Sequence, residues 1–323
     1  MDPVILRKPP EEYDIKLAIS KVLNIDVTII SKIEEGEVNH VYKVQTNAGN
    51  FVARIFRHSH WPEPGKLEWI EKQLTLHKIP HPKTIFYSRS QEHFSNGFMI
   101  SEFAEGQSGK EAITSGLVSF EMFHQKLAVL LYQVHSIPVS KFGLVNNGEG
   151  QNNSLRELKV TKVKKIIDQL NSASKEAASQ IESIQDIVDS GLSRYEGKLK
   201  PVLIHGDPTV DNIIYTPQGE LMLVDWDGAL ADSWLRDYSW ITYFGSGLSQ
   251  GSLEERQVII RNAFAEFHPQ TDLDQDEIGK IESIYHILQA IDLLPYYYFD
   301  QQNMGAFNKT LDRLDKLSAH LSK

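Results

Sequence analysis

The alternation of hydrophobic and polar positions divides the chain into a β-rich first third and a helical remainder. Apolar residues recur at helical spacing over residues 11–23 and 66–78. Short runs rich in β-branched and aromatic residues, which are typical of strands, cover residues 27–33, 38–46, 51–57, 84–87 and 98–103. The pattern predicts a five-stranded antiparallel sheet with a helix inserted after the third strand.

Beyond Gly106 the pattern changes to that of helices. Helical stretches are predicted over residues 119–135, 154–193, 253–267 and 277–294. We therefore predict an N-terminal lobe over residues 1–103 and a C-terminal lobe over residues 104–323. The predicted fold class is α+β, with a smaller lobe built on the sheet and a larger, mainly helical lobe.

One compact β segment interrupts the helical part and carries the candidate chemistry. An apolar strand at residues 202–204 leads into the loop that holds Asp207, where a carboxylate can meet a hydroxyl proton. Asn212 and Asp225 stand at the ends of neighbouring predicted strands and offer the hard oxygen ligands that magnesium prefers. Oxygen ligands for magnesium beside a base are what phosphoryl transfer from a nucleotide requires.

The amino-acid composition limits the kinds of molecule that this protein is expected to bind. The 323 residues include 33 Lys and Arg against 43 Asp and Glu, so the formal net charge is −10. An acidic surface repels nucleic acid and anionic lipid, and it favours cationic small molecules. The absence of cysteine excludes disulfides, thiolate nucleophiles and cysteine-ligated metals. No apolar run has the length of a signal peptide or a membrane span, and we expect a cytoplasmic protein.

The motif around Asp207 resembles a known family. The motif consists of His-Gly-Asp, four further residues and an Asn, followed on the next strand by an aspartate before an aromatic residue. This pattern resembles the motif of the aminoglycoside phosphotransferase and choline kinase superfamily. This superfamily has the two-lobed protein-kinase-like fold. The resemblance is strongest over residues 202–240 and weaker over residues 33–106. It implies Mg²⁺ and ATP as cofactors, with GTP left open as the donor.

The resemblance also implies a role for each matching residue in the second lobe. Asp207 corresponds to the catalytic base, and Asn212 and Asp225 correspond to the magnesium ligands. Asp237, in the acidic segment that follows, corresponds to an aspartate that steadies the catalytic loop. His205 is expected to support that loop through hydrogen bonds.

In the first lobe, the resemblance implies a nucleotide site. Gly36 and Asn39 fall in the loop that covers the nucleotide in the family. Arg54 occupies the place where kinases usually have a lysine that binds phosphate. Val52 shares the strand face of Arg54, so it would lie against the adenine.

Two further features of this lobe follow from the same resemblance. The main chain of Ser101 and Phe103 corresponds to the hinge that contacts the adenine edge. Arg54 requires an acidic partner from the next helix, for which Glu68 is the first choice and Glu71 the alternative.

The predicted function is ATP- and Mg²⁺-dependent phosphorylation of a small-molecule hydroxyl. Asp211, Asp227 and Asp232 favour an amine-bearing acceptor such as an aminoglycoside, although Asp227 is expected by default to face solvent. Choline, homoserine and other metabolite alcohols stay open as acceptors. A nucleotide-binding sensor without turnover and a metal-dependent hydrolase are the alternative classes. The aromatic run at residues 296–300 either lines an acceptor pocket or packs at the end of a helix.

Overall fold

The computed structural model describes residues 8–33, 39–90, 92–146, 148–245, 248, 251–267 and 272–321. Gly36, one of the predicted nucleotide-site residues, lies outside these described residues. In chain order the elements are α1 (Glu12–Leu23), β1 (Val27–Lys32), β2 (Asn39–Thr46), β3 (Gly49–Phe56), α2 (Lys66–Leu76), β4 (Thr84–Ser88), β5 (Phe98–Glu102), β6 (Gln107–Ser108), α3 (Gly109–Thr114), α4 (Phe120–His135), α5 (Leu155–Asn171), α6 (Lys175–Arg194), β7 (Val202–Ile204), β8 (Ile213–Tyr215), β9 (Leu221–Leu223), β10 (Leu230–Asp232), α7 (Leu235–Phe244), α8 (Leu253–Phe267), α9 (Gln275–Pro295) and α10 (Met304–Leu321).

The chain divides into two compact units. The first comprises residues 1–107 together with residues 214–227, and the second comprises residues 108–213 and 228–323. The hairpin of β8 and β9, which carries Asp225 just beyond it, thus belongs mainly to the first unit. The predicted division at residue 103 assigned this hairpin to the second lobe.

The first unit contains the predicted five-stranded antiparallel sheet. The strand order is β1-β2-β3-β5-β4, and α2 follows β3 as predicted. The inward residues of β2, β3 and β5 form a core with Ile15 and Ile19 of α1 because alternate residues of a strand face the same side. In the register, Val52 pairs with Ser101 of β5, and Arg54 pairs with Val41 of β2.

The second unit is mainly helical, which confirms the predicted fold class. Strands β7 and β10 pair antiparallel within it. The predicted stretch at residues 154–193 is two helices, because Ser174 caps a new helix by accepting a hydrogen bond from the Ala177 amide. Helices α7 and α10 were not predicted. Within the described residues, no helix is long and apolar enough to span a membrane.

The aromatic run at residues 296–300 forms a π-helical turn that follows α9. Its side chains are partly or fully exposed, and the Tyr298 ring packs edge-on against Phe307 of α10. The Tyr298 hydroxyl donates to the carbonyl of Ala173. These contacts give the run a packing role, while a role in an acceptor pocket stays a prediction.

Candidate active site

A buried aspartate at the start of α7 holds the loop that follows β7. The carboxylate of Asp237 is fully buried and accepts hydrogen bonds from the amides of His205 and Gly206, each at 2.8 Å. His135 Nε2 lies 3.1 Å from the same carboxylate. Burial alone would raise the pKa of Asp237, but the hydrogen bond and charge of His135 and the loop amides outweigh it, so the pKa is lowered. An ionised Asp237 therefore fixes the two residues that precede Asp207.

The loop has its shape because of a glycine. Gly206 adopts φ +85°, and a Cβ atom there would lie 2.1 Å from the carbonyl oxygen of Gly228. Any other residue would combine left-handed strain with a backbone clash. His205 is fully buried, and its Nδ1 accepts the Asp207 amide at 3.3 Å. His205 thus supports the main chain of the loop.

Asn212 orients the Asp207 carboxylate. Its Nδ2 donates to Asp207 Oδ2 at 2.8 Å and to the Asp207 carbonyl at 3.1 Å. These hydrogen bonds use the amide nitrogen and turn the amide oxygen away from Asp207. Asp207 itself is half-buried, so its carboxylate is accessible to a substrate. The second unit therefore brings together His205, Asp207, Asn212 and Asp237.

In the first unit, Arg54 meets two aspartates of the segment after β9. Its Nη2 lies 2.8 Å from Asp225 Oδ1, and its Nη1 lies 3.0 Å from Asp227 Oδ1. Arg54 is 8% exposed. Burial alone would lower the pKa of Arg54, but the charges of Asp225 and Asp227 outweigh this effect and raise it. The guanidinium is thus ionised and held next to the predicted metal ligand.

The acidic partner of Arg54 differs from the one predicted. Glu68 is exposed on α2, and Glu71 accepts hydrogen bonds from the Thr84 amide at 3.1 and 3.2 Å. Glu71 therefore joins α2 to the start of β4. The partners of Arg54 are Asp225 and Asp227, which lie more than 170 residues away in sequence, so helical spacing from Arg54 does not identify them.

Asp227 is buried, so the expectation that it faces solvent is wrong. Its carboxylate accepts from Asn39 Nδ2 at 2.6 Å as well as from Arg54, and its carbonyl accepts from Lys66 Nζ at 2.6 Å. Burial raises the pKa of Asp227, while the Arg54 charge offsets part of this effect and the Asp225 charge adds to it. Neither Lys66 nor this role of Asp227 was predicted, because only the tertiary fold brings these residues together.

The backbone of Asp225 adopts an uncommon conformation. It adopts φ +64°, a left-handed conformation that costs most non-glycine residues about 1–2 kcal/mol and that aspartate tolerates better than most. The Trp226 indole next to it is buried and donates to the Leu223 carbonyl. Such strain persists where surrounding contacts hold it, and it is common at ligand sites. The ion pair with Arg54 and the anchored Trp226 are two of the contacts that restrain this segment.

The residues predicted to bind magnesium suit that ion in their chemistry. Asp225 Oδ1 is buried and lies 2.8 Å from Arg54 Nη2, so this oxygen is paired with a cation of the protein itself. The carboxylate as a whole is partly exposed, with 40% of its side chain accessible. Asn212 adds an amide oxygen. A carboxylate oxygen and an amide oxygen are each the kind of hard donor that magnesium takes.

The remaining predicted nucleotide-site residues lie on the sheet of the first unit. Ser101 is buried and pairs with the half-buried Val52 across β3 and β5. Phe103 follows β5, and Lys43 Nζ lies 4.0 Å from the centre of its ring. The structure therefore brings Val52 and Ser101 together as the strand register requires. Their contact with adenine stays a prediction.

Comparisons with solved structures identify the fold. The aminoglycoside phosphotransferase APH(4)-Ia, as a thermostable mutant without ligand, matches with a TM-score of 0.72 and 15% identity over 94% of this chain and 98% of its own. The choline kinase LicA from Streptococcus pneumoniae matches with a TM-score of 0.64 and 17% identity, over 96% and 99% of the two chains. A putative fructosamine-3-kinase from Haemophilus somnus 129PT matches with a TM-score of 0.63 and 16% identity, over 95% and 96%. At these identities the likeness shows the protein-kinase-like fold.

Sequence comparison gives the family. No curated protein matches the chain. Residues 29–266 match the phosphotransferase enzyme family, and this range contains Arg54, Asp207, Asn212, Asp225 and Asp237. The match covers well over half of the chain and confirms the resemblance that the His-Gly-Asp motif indicated. The chain belongs to the phosphotransferase enzyme family and is a small-molecule kinase by membership.

Proposed function

We propose that this protein transfers the terminal phosphoryl group of ATP to a hydroxyl of a small molecule in a Mg²⁺-dependent reaction. The observation that carries the proposal is the loop after β7, where Asn212 holds the Asp207 carboxylate at 2.8 Å and Asp237 fixes the two preceding amides. A carboxylate held in one orientation and still accessible is suited to accept a hydroxyl proton.

The roles of the other residues follow from their chemistry. Asn212 and Asp225 would hold Mg²⁺, which when bound neutralises charge on the transferring phosphate. Arg54 presents a guanidinium that can bind phosphate oxygens in a forked geometry. Asp227, which accepts a hydrogen bond from Asn39, pairs with that guanidinium. Val52, Ser101 and Phe103 would contact the adenine.

Solved relatives support a nucleotide and a small-molecule acceptor. APH(4)-Ia variants have been solved as ternary complexes with ADP and hygromycin B and with AMP-PNP and hygromycin B, and LicA has been solved with AMP. Hygromycin B is an aminoglycoside and choline is a quaternary amine. We accordingly propose an amine-bearing acceptor for this chain.

Fewer acidic side chains are available to attract an amine-bearing acceptor than the sequence suggested. Asp227 is paired with Arg54, and Asp232 is fully buried against Lys159 and the Tyr285 hydroxyl. Both carboxylates are neutralised by the protein's own groups. Asp211 is exposed, and the net charge of −10 still favours cations in general.

An acceptor screen tests the proposed function. ADP release would be measured with ATP or GTP, with and without Mg²⁺, against hygromycin B, other aminoglycosides, choline, a fructosamine and homoserine. We expect release that requires both Mg²⁺ and one class of acceptor, and loss of that release in the Asp207→Asn variant. Phosphate release without any acceptor would favour a hydrolase, and nucleotide binding without turnover on the whole panel would favour a sensor.

A further inference from the structure

Lys66, the first residue of α2, is a fully buried cation with no place in the roles given above. Its relative exposure is 0%, which is rare for a lysine. The Nζ atom donates to the Asp227 carbonyl at 2.6 Å and to Glu63 Oε2 at 3.1 Å, and it lies 4.3 Å from the centre of the Trp61 ring. Burial lowers the pKa of Lys66, although Glu63 acts against this effect.

Lys66 completes a row of alternating charges. Asp225 pairs with Arg54, Arg54 pairs with Asp227, the Asp227 main chain accepts from Lys66, and Lys66 pairs with Glu63. All five residues belong to the first unit. The row runs from the proposed metal ligand to the beginning of α2. Helix α2 thus contributes a cation to the segment after β9, and the acidic partners of Arg54 come from that segment.

The contact that matters for Asp225 is the one to the main chain. Lys66 bonds to the carbonyl of Asp227, two residues after Asp225, and so restrains the backbone of the turn. The Asp227 side chain is restrained separately by Arg54 and Asn39. A turn that keeps Asp225 at φ +64° needs such restraint from outside, because the conformation is unfavourable in itself.

We propose that Lys66 is a positioning residue that holds the turn at residues 225–228 in the shape in which Asp225 binds Mg²⁺ and nucleotide. The inference rests on the proposed function for its ligand, but the restraint itself concerns the free protein. Lys66 touches neither metal nor substrate in this role. It acts through the Asp227 carbonyl.

A pair of substitutions of matched length separates the hydrogen bond from mere burial. Lys66→Met removes the donor. Lys66→Gln matches methionine in length and is one bond shorter than lysine, but it retains an N–H that can point toward the Asp227 carbonyl. Lys72→Met makes the same change as the first variant at an exposed position of α2 and serves as the control. Each protein is studied well below its melting temperature so that all are folded.

Hydrogen exchange of the free proteins tests the restraint without any ligand. We expect the peptide covering residues 225–228 to exchange about tenfold or more faster in Lys66→Met than in the wild type, because a buried hydrogen bond from a charged donor is lost. Exchange in Lys72→Met should match the wild type, and Lys66→Gln should lie between. Equal exchange in Lys66→Met and the wild type would overturn the proposal.

Titration calorimetry with AMP-PNP then tests the consequence for the ligand. The Mg²⁺ concentration for half-maximal nucleotide binding should rise about five- to tenfold in Lys66→Met and less in Lys66→Gln. A purely structural role of Lys66 would lower the melting temperature of both variants and leave this Mg²⁺ concentration unchanged. An unchanged Mg²⁺ requirement in Lys66→Met would overturn the inference about Lys66 and leave the proposed function standing. Absence of Mg²⁺-dependent binding in the wild type would instead count against the proposed function, and the exchange result would still decide the restraint.

Should Lys66→Met fail to fold, Glu63→Gln supplies the second test. This change removes the counter-ion of Lys66 and leaves its bond to the Asp227 carbonyl in place. We expect a lower melting temperature with exchange at residues 225–228 and a Mg²⁺ requirement like those of the wild type. Faster exchange at residues 225–228 together with a higher Mg²⁺ requirement in Glu63→Gln would show that charge balance, and not the bond to the carbonyl, governs the turn. That result would overturn the proposal.

Discussion

Replacement of Asp237 by asparagine should damage both stability and turnover. The wild-type carboxylate accepts from the amides of His205 and Gly206 and faces His135 Nε2, and all of these groups are buried. An asparagine keeps one acceptor oxygen and turns an N–H₂ group toward at least one of the three donors. One or two buried donors therefore lose their acceptor.

The magnitude follows from the number of donors left unpaired. Each buried donor without an acceptor costs about 1–3 kcal/mol, so Asp237→Asn should lower the free energy of unfolding by about 2–4 kcal/mol. Asp237→Ala removes every acceptor and should cost about 4–6 kcal/mol. Such losses are a large fraction of the roughly 5–15 kcal/mol that stabilises a typical protein. Turnover should fall about 100-fold in Asp237→Asn, because Asp207 follows the freed amides directly.

The assay is urea unfolding at neutral pH together with steady-state kinetics. Asp312→Asn, at an exposed position of α10, is the control and should be stable within about 0.5 kcal/mol of the wild type. If Asp237→Asn also unfolded within about 0.5 kcal/mol of the wild type, with turnover within about twofold, the assigned role of Asp237 in holding the loop would be refuted.

The acid dependence of this effect has a defined sign. The pKa of Asp237 is lowered in the folded protein, so its contribution to stability is present above the unfolded value near 4 and is lost as pH falls through the folded pKa. The stability difference between the wild type and Asp237→Asn should therefore shrink in strong acid. A difference that grew as pH fell below about 4 would contradict an ionised Asp237.

Three further predictions concern other residues. Asp207→Asn should reduce turnover by about 10²–10⁴-fold with ATP affinity nearly unchanged in calorimetry, and retained turnover would remove Asp207 from the role of base. Gly206→Ala should lower the melting temperature and turnover together, since its Cβ would lie 2.1 Å from the Gly228 carbonyl oxygen; normal values of both would count against the strained loop. Burial lowers the pKa of His124 to about 4, so this residue should contribute a loss of up to about 3 kcal/mol of stability between pH 6.5 and 4, as the unfolded chain takes up a proton. His124→Gln should therefore show a shallower decline than the wild type in urea unfolding, and an identical slope would contradict a neutral, buried His124.

The sequence predicts the elements whose signal is local. The five strands of the sheet are short runs rich in β-branched and aromatic residues that end at turn residues, so their number follows from the pattern. In helix α7, Asp237, Ser239 and Thr242 are buried together with apolar residues, so polarity alone does not mark its buried face. Helix α10 does carry Phe307 and Leu314 at helical spacing, so its sequence contains a usable signal.

In the candidate site, too, residues close together in sequence could be predicted, whereas contacts between distant segments could not. The spacing of Asp207, Asn212 and Asp225 around short strands identifies the motif, because motif residues lie close together in sequence. The ion pairs of Arg54 and the bond from Lys66 to the Asp227 carbonyl join segments more than 160 residues apart, and burial decides which charges pair. Local spacing favours Glu68 for Arg54, whereas the fold buries Asp227 beside it and leaves Glu68 in solvent.

The most direct test of the account is a crystal structure of this protein with Mg²⁺ and AMP-PNP. We predict that Asn212 Oδ1 and a carboxylate oxygen of Asp225 both lie about 2.1 Å from magnesium, the usual distance for this ion, with Asp207 free to face the acceptor and Arg54 on the phosphates. A structure with the nucleotide bound elsewhere, or with the metal held by residues other than Asn212 and Asp225, would contradict the proposed mechanism.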